Sequence, residues 1–145
     1  RTDAAVIVGI TDADDRMLLG SNALWEANRF SLLAGFVEPG ESLEAAVIRE
    51  VFEESGLIVA DPVYLGSQPW PFPASLMVGF RAHVPVEHPT VGTPDGNEII
   101  ALRWFTRDEI AAAASGEIML PGPTSIARAI IEDWFGDEID DGTRT

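Results

Sequence analysis

Short apolar runs separated by tight polar breaks dominate the chain, and one long stretch with helical spacing interrupts them. Ala4 to Ile10 is apolar, the acids Asp12 to Asp15 form a turn, and Met17 to Leu19 resumes the run, which predicts two strands of a hairpin. Ser31 to Phe36 is again short and apolar, broken at Gly35, and Glu38-Pro39-Gly40-Glu41 reads as a turn. Ser42 can cap a helix because its hydroxyl accepts an otherwise orphaned backbone amide. Leu43 to Ser55 is rich in helix formers, Gly56 stands ready to end the helix, and Val47, Ile48, Val51 and Phe52 are expected on its core face. Further strands are predicted over Leu57 to Gly66, Leu76 to Val84 and Glu98 to Phe105, with a Pro/Gly-rich loop from Pro85 to Gly96 before the last. Asp108 to Ala114 predicts a short helix, and Thr124 to Trp134 a longer one with Ile126, Ile130, Ile131 and Trp134 at helical spacing. Strands and helices mix without regular alternation, so the expected class is α+β, in layers around a mixed sheet.

Length and composition narrow the setting. With 145 residues and 46% hydrophobic content, one domain is expected, over 1–136, followed by an acidic tail at 137–145. No run approaches the roughly 18 apolar residues of a membrane span, and Arg1-Thr2-Asp3 does not open a signal peptide, so a cytoplasmic protein without a membrane partner is expected. Cysteine is absent, which excludes disulfides, thiolate zinc sites and thiol nucleophiles from this chain. All nine basic residues are Arg, so a Walker-type lysine and Schiff-base chemistry are excluded too. The formal charge of −15 opposes non-specific binding of nucleic acid or anionic lipid, and a phosphate substrate would need a cation to bind here. The runs Asp12 to Asp15 and Asp137 to Asp141 read as solvated surface, and His83 and His88 as ordinary structural histidines.

The chemistry lies on the first helix. Glu50, Glu53 and Glu54 stand at i, i+3 and i+4, three carboxylates on one face within a turn. Like charges at that spacing destabilise a helix by about 0.2–0.5 kcal/mol per pair unless a cation neutralises them. Oxygen donors alone select hard divalent ions such as Mg²⁺ or Mn²⁺. Such a face by itself is more often solvated surface than a metal site; its flanks change that reading. Gly35, Glu41, Arg49-Glu50-Val51, Glu53-Glu54 and Gly56-Leu57 fit Gly-x5-Glu-x7-Arg-Glu-U-x-Glu-Glu-x-Gly-U, with U aliphatic, at every defined position. This resembles the box of the Nudix hydrolases. The resemblance implies an α/β/α sandwich in which the box forms a loop-helix-loop and its glutamates hold divalent cations against a substrate pyrophosphate. By that resemblance Glu50, Glu53 and Glu54 are metal ligands and catalytic, the backbone carbonyl of Ala34 completes the shell, and Arg49 orients the glutamates. Glu98, opening a later strand after Thr93-Pro94-Asp95-Gly96-Asn97, is the candidate from outside the box, as ligand or general base; an exposed acid at a strand start is the alternative.

A second motif concerns the substrate. In Ser67-Gln68-Pro69-Trp70-Pro71-Phe72-Pro73-Ala74-Ser75 prolines alternate with aromatics, which fixes φ, opposes regular pairing and holds planar rings stiffly. Composition alone favours a rigid loop plugging the core. The segment is, however, similar to the signature of the NADH pyrophosphatase subfamily. That likeness implies that Gln68, Pro69, Trp70, Pro71, Phe72, Pro73, Ala74 and Ser75 line a dinucleotide pocket, that Phe36 stacks on a base, and that the backbone at Ala127, within Ile126-Ala127-Arg128, contacts substrate. The family's zinc ribbon and preceding region have no counterpart here, so a trimmed catalytic domain without zinc is expected, from a protein that is a homodimer at full length. The implied reaction is hydrolysis of NADH or NAD⁺ to nicotinamide mononucleotide and AMP, with NAD-capped RNA 5′ ends as a further substrate. The rivals are a Nudix hydrolase of ADP-ribose or dinucleoside polyphosphates and a non-catalytic nucleotide-binding module.

Overall fold

The computed structural model describes residues 2–24, 26, 28–71 and 74–142. Six strands form one mixed sheet: β1 (Asp3–Thr11), β2 (Met17–Asn22), β3 (Leu33–Phe36), β4 (Ala60–Trp70), β5 (Ser75–His83) and β6 (Ile99–Phe105). Their order is β4-β5-β1-β2-β6, with β3 also pairing β1. β1 runs parallel to β5 and antiparallel to β2 and β3, which share its other edge. Three helices cover the faces: α1 (Leu43–Ser55), α2 (Arg107–Ala114) and α3 (Ile126–Phe135).

Alternation along β1 assigns the layers, because successive side chains leave a strand on opposite sides. Val6, Val8 and Ile10 join Val47 and Val51 of α1 in one core, while Ile7 joins Ile110 of α2 and Ile130, Ile131 and Trp134 of α3 in the other. The α+β sandwich expected from the sequence is therefore present. α1 has the predicted bounds, with Ser42 accepting from the Ala45 amide at 3.1 Å and Gly56 closing the helix at φ 73°, a left-handed conformation that suits glycine.

Four expectations need correction. Pairing continues through the proline segment, with Pro69 opposite Leu76 and Trp70 opposite Ser75. β4 is the sheet's edge, and an edge strand tolerates residues without an amide hydrogen. Ile48 and Phe52 are 40% and 56% exposed, because α1 buries a stripe through Val47, Val51 and Glu54 and these two lie one residue, about 100°, beyond it. Asp12 is buried: its carboxylate accepts from the amides of Asp14 and Arg16 and pairs with the Arg16 guanidinium at 2.7 Å, closing the β1–β2 turn. Nor is the tail all solvated, since Ile139 is buried and Asp141 pairs with the fully buried Arg128 at 2.9 Å. No helix among the described residues is long and apolar enough to cross a membrane.

Candidate active site

The site grows from the turn between β3 and α1. Glu38 and Glu41 bond each other there, the Glu38 amide donating to the Glu41 carboxylate at 3.1 Å and the Glu41 amide to the Glu38 carbonyl at 3.0 Å. One turn and a half into α1, Arg49 reaches back to this turn. Its Nε and one terminal nitrogen clasp the two Glu41 oxygens at 2.7 and 2.9 Å, and that terminal nitrogen also donates to the Phe36 carbonyl at 3.0 Å. The other nitrogen donates to Glu50 at 2.9 Å and to Glu53 at 3.1 Å. Those contacts use all five N–H donors of a guanidinium. Arg49 thus ties together three box glutamates, Glu41, Glu50 and Glu53, and holds the Glu41 carboxyl below the usual carboxylate range.

Glu50 and Glu54 lie deeper. Burial raises the Glu50 pKa, against the lowering effect of Arg49. Glu54 is buried, and its carboxyl is pushed up to about 9, first by burial and then by the negative charges of Glu50, Glu98 and Asp95. One Glu54 oxygen, Oε2, is buried with no hydrogen-bond partner, and Glu54 hydrogen-bonds Glu50. Gly35 on β3 makes the arrangement fit: a Cβ there would collide with the Glu50 carboxylate. The neighbouring Ala34 pairs with Ile7 of β1. Glu53 stays exposed at the rim.

Glu98 is exposed, but its backbone is held. The Asp95 carboxylate accepts from the amides of Asn97, Glu98 and Ile99 at 2.9, 3.0 and 2.9 Å, which keeps its own pKa low. The Thr93 amide donates to the Ser55 carbonyl at 2.8 Å, tying this loop to the end of α1. The positioning roles of Asp95 and Glu41 did not emerge from sequence reasoning; Asp95-Gly96-Asn97 carried the Asx-turn signal that could have shown the first.

The donor set suits a hard divalent cation: it is all oxygen, strongly negative, and includes a buried oxygen without a partner. Among the described residues no three such side chains close around a single point.

The second motif lies on the other face. Gln68 donates to the Thr124 carbonyl at 3.0 Å and accepts from the Ile126 amide at 2.9 Å, so its amide group joins the end of β4 to the start of α3. A cleft of about 460 Å³ lies between Leu65–Pro69 and the first turns of α3, and none of the glutamates lines it. Ala127 is buried in that first turn, Ser75 is buried in β5, Ala74 is half-buried, and Pro69, Trp70 and Pro71 are exposed. Phe72 and Pro73 fall outside the described residues. On this face strand register puts Phe36 in line with Gln68: Phe36 stands opposite Ala5, Ala5 beside Met77, and Met77 opposite Gln68. Directly paired residues share a face, so Phe36 and Gln68 stand in one row, three strand spacings or about 14 Å apart. Phe36 is 58% exposed.

Residues 1–121 match the NUDIX domain family. This chain is a Nudix protein. It is 51% identical to the "NAD-capped RNA hydrolase NudC" of Mycobacterium bovis over 92% of this chain and 45% of that protein. It is 39% identical to the human "NAD-capped RNA hydrolase NUDT12" over 93% of this chain and 30% of that one. The chain thus spans less than half the length of these relatives. Among solved structures, a NUDIX hydrolase from Nitrosomonas europaea aligns over 100% of this chain and 97% of its own, with TM-score 0.67 and 27% identity. A MutT NUDIX hydrolase from Burkholderia pseudomallei aligns over 92% and 98%, with TM-score 0.67 and 22% identity, a likeness of fold alone. Nudix hydrolases generally need a divalent metal, in keeping with the carboxylate set described above.

Proposed function

We propose that this chain hydrolyses the pyrophosphate of NADH and NAD⁺ to nicotinamide mononucleotide and AMP, and splits the same bond in the NAD cap of RNA 5′ ends. The observation that carries the reading is the Glu50–Glu54 pair, withdrawn from water, with Glu50 held by Arg49 and one Glu54 oxygen left unsatisfied. Carboxylates are held in such a state at a cost in stability that makes sense where a cation binds them.

Glu50, Glu53, Glu54, Glu98 and the Ala34 carbonyl are the proposed ligands of Mg²⁺ or Mn²⁺. When bound, such ions offset the negative charge of the pyrophosphate oxygens and favour attack by water at neutral pH. The chain's own residues do the rest. Arg49 donates only to the protein, so it orients Glu50 and Glu53 without contacting substrate. Glu98, exposed and outside the Arg49 clamp, is the proposed general base that takes the proton of the attacking water. Phe36 offers an exposed ring for a base, and the row from Phe36 to Gln68 gives a span of about 14 Å, on the scale of an extended dinucleotide. Gln68–Ser75 and the backbone at Ala127 form the proposed far wall. The likeness to the NADH pyrophosphatase signature and the printed names of the relatives support this substrate over ADP-ribose or dinucleoside polyphosphates. The homodimer and cytoplasmic setting implied by the resemblance belong to the same proposal for the longer protein.

The test is a panel of NADH, NAD⁺, ADP-ribose and diadenosine polyphosphate with Mg²⁺ or Mn²⁺, read by product analysis. Nicotinamide mononucleotide and AMP from NAD(H) are expected as the main products. Glu50→Gln and Glu54→Gln should each lower kcat by at least about a hundredfold while remaining folded. Preferential cleavage of ADP-ribose, or normal turnover in either folded variant, would contradict the reading.

A further inference from the structure

We infer that Arg128 and Asp141 are positioning residues for the dinucleotide: through them residues 139–141 of the tail set the wall around Gln68, and so govern substrate affinity without touching substrate or the carboxylate site. The inference deepens the NAD(H) reading above and rests on it. It begins from a side chain that this reading leaves unused. Arg128, in the first turn of α3, is the largest side chain wholly withdrawn from water among the described residues.

Its guanidinium makes four hydrogen bonds to three segments. Within the helix, Nε donates to Glu132 at 3.0 Å. Toward the preceding loop, a terminal nitrogen donates to the Pro121 carbonyl at 2.8 Å. Toward the tail, the guanidinium donates to the Asp141 carboxylate and to the Ile139 carbonyl, each at 2.9 Å. The Ile139 amide in turn donates to the Glu132 oxygen at 2.8 Å, and the Ile139 side chain is buried in the core that α2 and α3 share. Replacing a buried ion network by apolar side chains of like volume is often neutral for stability. What a planar guanidinium fork adds beyond packing is direction, because each donor holds one acceptor at a set angle.

The acceptor that matters here is Pro121. From it the chain enters α3 through a tight turn: the Ser125 amide and hydroxyl both donate to the Gly122 carbonyl, at 3.1 and 2.8 Å, and the same hydroxyl accepts from the Arg128 amide at 3.2 Å. The other side of the turn meets Gln68, which bonds the Thr124 carbonyl and the Ile126 amide. Gln68, Thr124, Ser125 and Ile126 all line the cleft of about 460 Å³. The turn is therefore gripped from two sides, by Gln68 and by Arg128, and Ile139 and Asp141 hold Arg128 in place. One side-chain amide meets a carbonyl and an N–H together only while both stay in register, so a shift of the turn breaks one bond or both. The box glutamates lie on α1, in the layer across the sheet, and do not line this cleft.

The experiment measures kcat and KM for NADH with Mg²⁺, and hydrogen exchange of the Ile126 amide by NMR, in the 145-residue chain and in five variants: Asp141→Ala, Asp141→Asn, Gln68→Leu, the double variant Asp141→Ala/Gln68→Leu, and Ile110→Val. In Asp141→Ala, where Glu132 still pairs with the arginine, KM should rise at least about fivefold with kcat within about twofold, and Ile126 should exchange at least about tenfold faster. Asp141→Asn keeps an oxygen facing the guanidinium and should place both KM and Ile126 exchange between the parent and Asp141→Ala. With Gln68→Leu already present, Asp141→Ala should change KM by less than about twofold, since both act through one contact. Ile110→Val thins the same core from α2 and should leave KM at the parent value. An unchanged KM in folded Asp141→Ala, a fall in kcat in its place, a rise that adds in full to that of Gln68→Leu, an equal rise in Ile110→Val, or unaltered Ile126 exchange would each overturn the inference. Absence of NADH hydrolysis in the parent would instead overturn the function on which the inference rests, and its claim on substrate with it, while Ile126 exchange would still decide whether the tail holds the turn.

Discussion

Replacing Glu54 by Gln should flatten the pH dependence of stability in the cation-free protein. The Glu54 carboxyl is buried, lacks a partner for one oxygen, and is pushed up to about 9 by that burial and by Glu50, Glu98 and Asp95. In the unfolded chain a glutamate titrates at about 4.3. The folded protein therefore binds this proton more tightly, so the stabilising effect is complete below the unfolded value and is lost as pH rises toward 9. Within that window each pH unit is worth about 1.4 kcal/mol, or about 3 kcal/mol between pH 6 and 8. For a chain of this size that corresponds to about 5–10 °C in Tm. The assay is thermal unfolding followed by circular dichroism in chelator at pH 6, 7 and 8, for the parent and for Glu54→Gln. The parent should lose about 5–10 °C more than the variant across the range. Mg²⁺ at about a hundred times its Kd should restore about 3 kcal/mol to the parent at pH 8, and much less to the variant. Parallel Tm curves for the two proteins would refute the reasoning, because every other titrating group is common to both.

Three further substitutions probe other parts of the structure. Gly35→Ala puts a methyl group onto the Glu50 carboxylate, so turnover and Mg²⁺ affinity, measured by calorimetric titration, should fall at least about tenfold with a modest change in Tm. Arg128→Met leaves Glu132, Asp141 and the carbonyls of Pro121 and Ile139 without their donor, and should cost about 3–5 kcal/mol in urea unfolding. Gln68→Leu removes the two hydrogen bonds that join β4 to α3, about 1 kcal/mol each, and should raise KM for NADH several-fold with kcat nearly unchanged.

Local rules along the chain were enough to determine α1, its Ser42 and Gly56 caps, the β1–β2 hairpin and the box whose carboxylates share one helical face, because each depends on residues within a few positions of one another. Periodicity could not say how wide a stripe α1 would bury, so Ile48 and Phe52 were assigned to a core that stops at Val47 and Val51. Nor could it tell that β4 lies at the sheet edge, which is what lets Pro69 remain paired. Asp12 and Asp141 look like surface acids until the fold brings Arg16 and Arg128 to them. The same holds for the site: spacing put Glu50 and Glu54 side by side, but their burial, the approach of Asp95 and Glu98 from a distant loop, and the room that Gly35 leaves come from packing between segments far apart in sequence. Burial and charge proximity depend on three-dimensional distance, so only the tertiary structure decides which of these carboxylates gives up its water and stands ready for a cation.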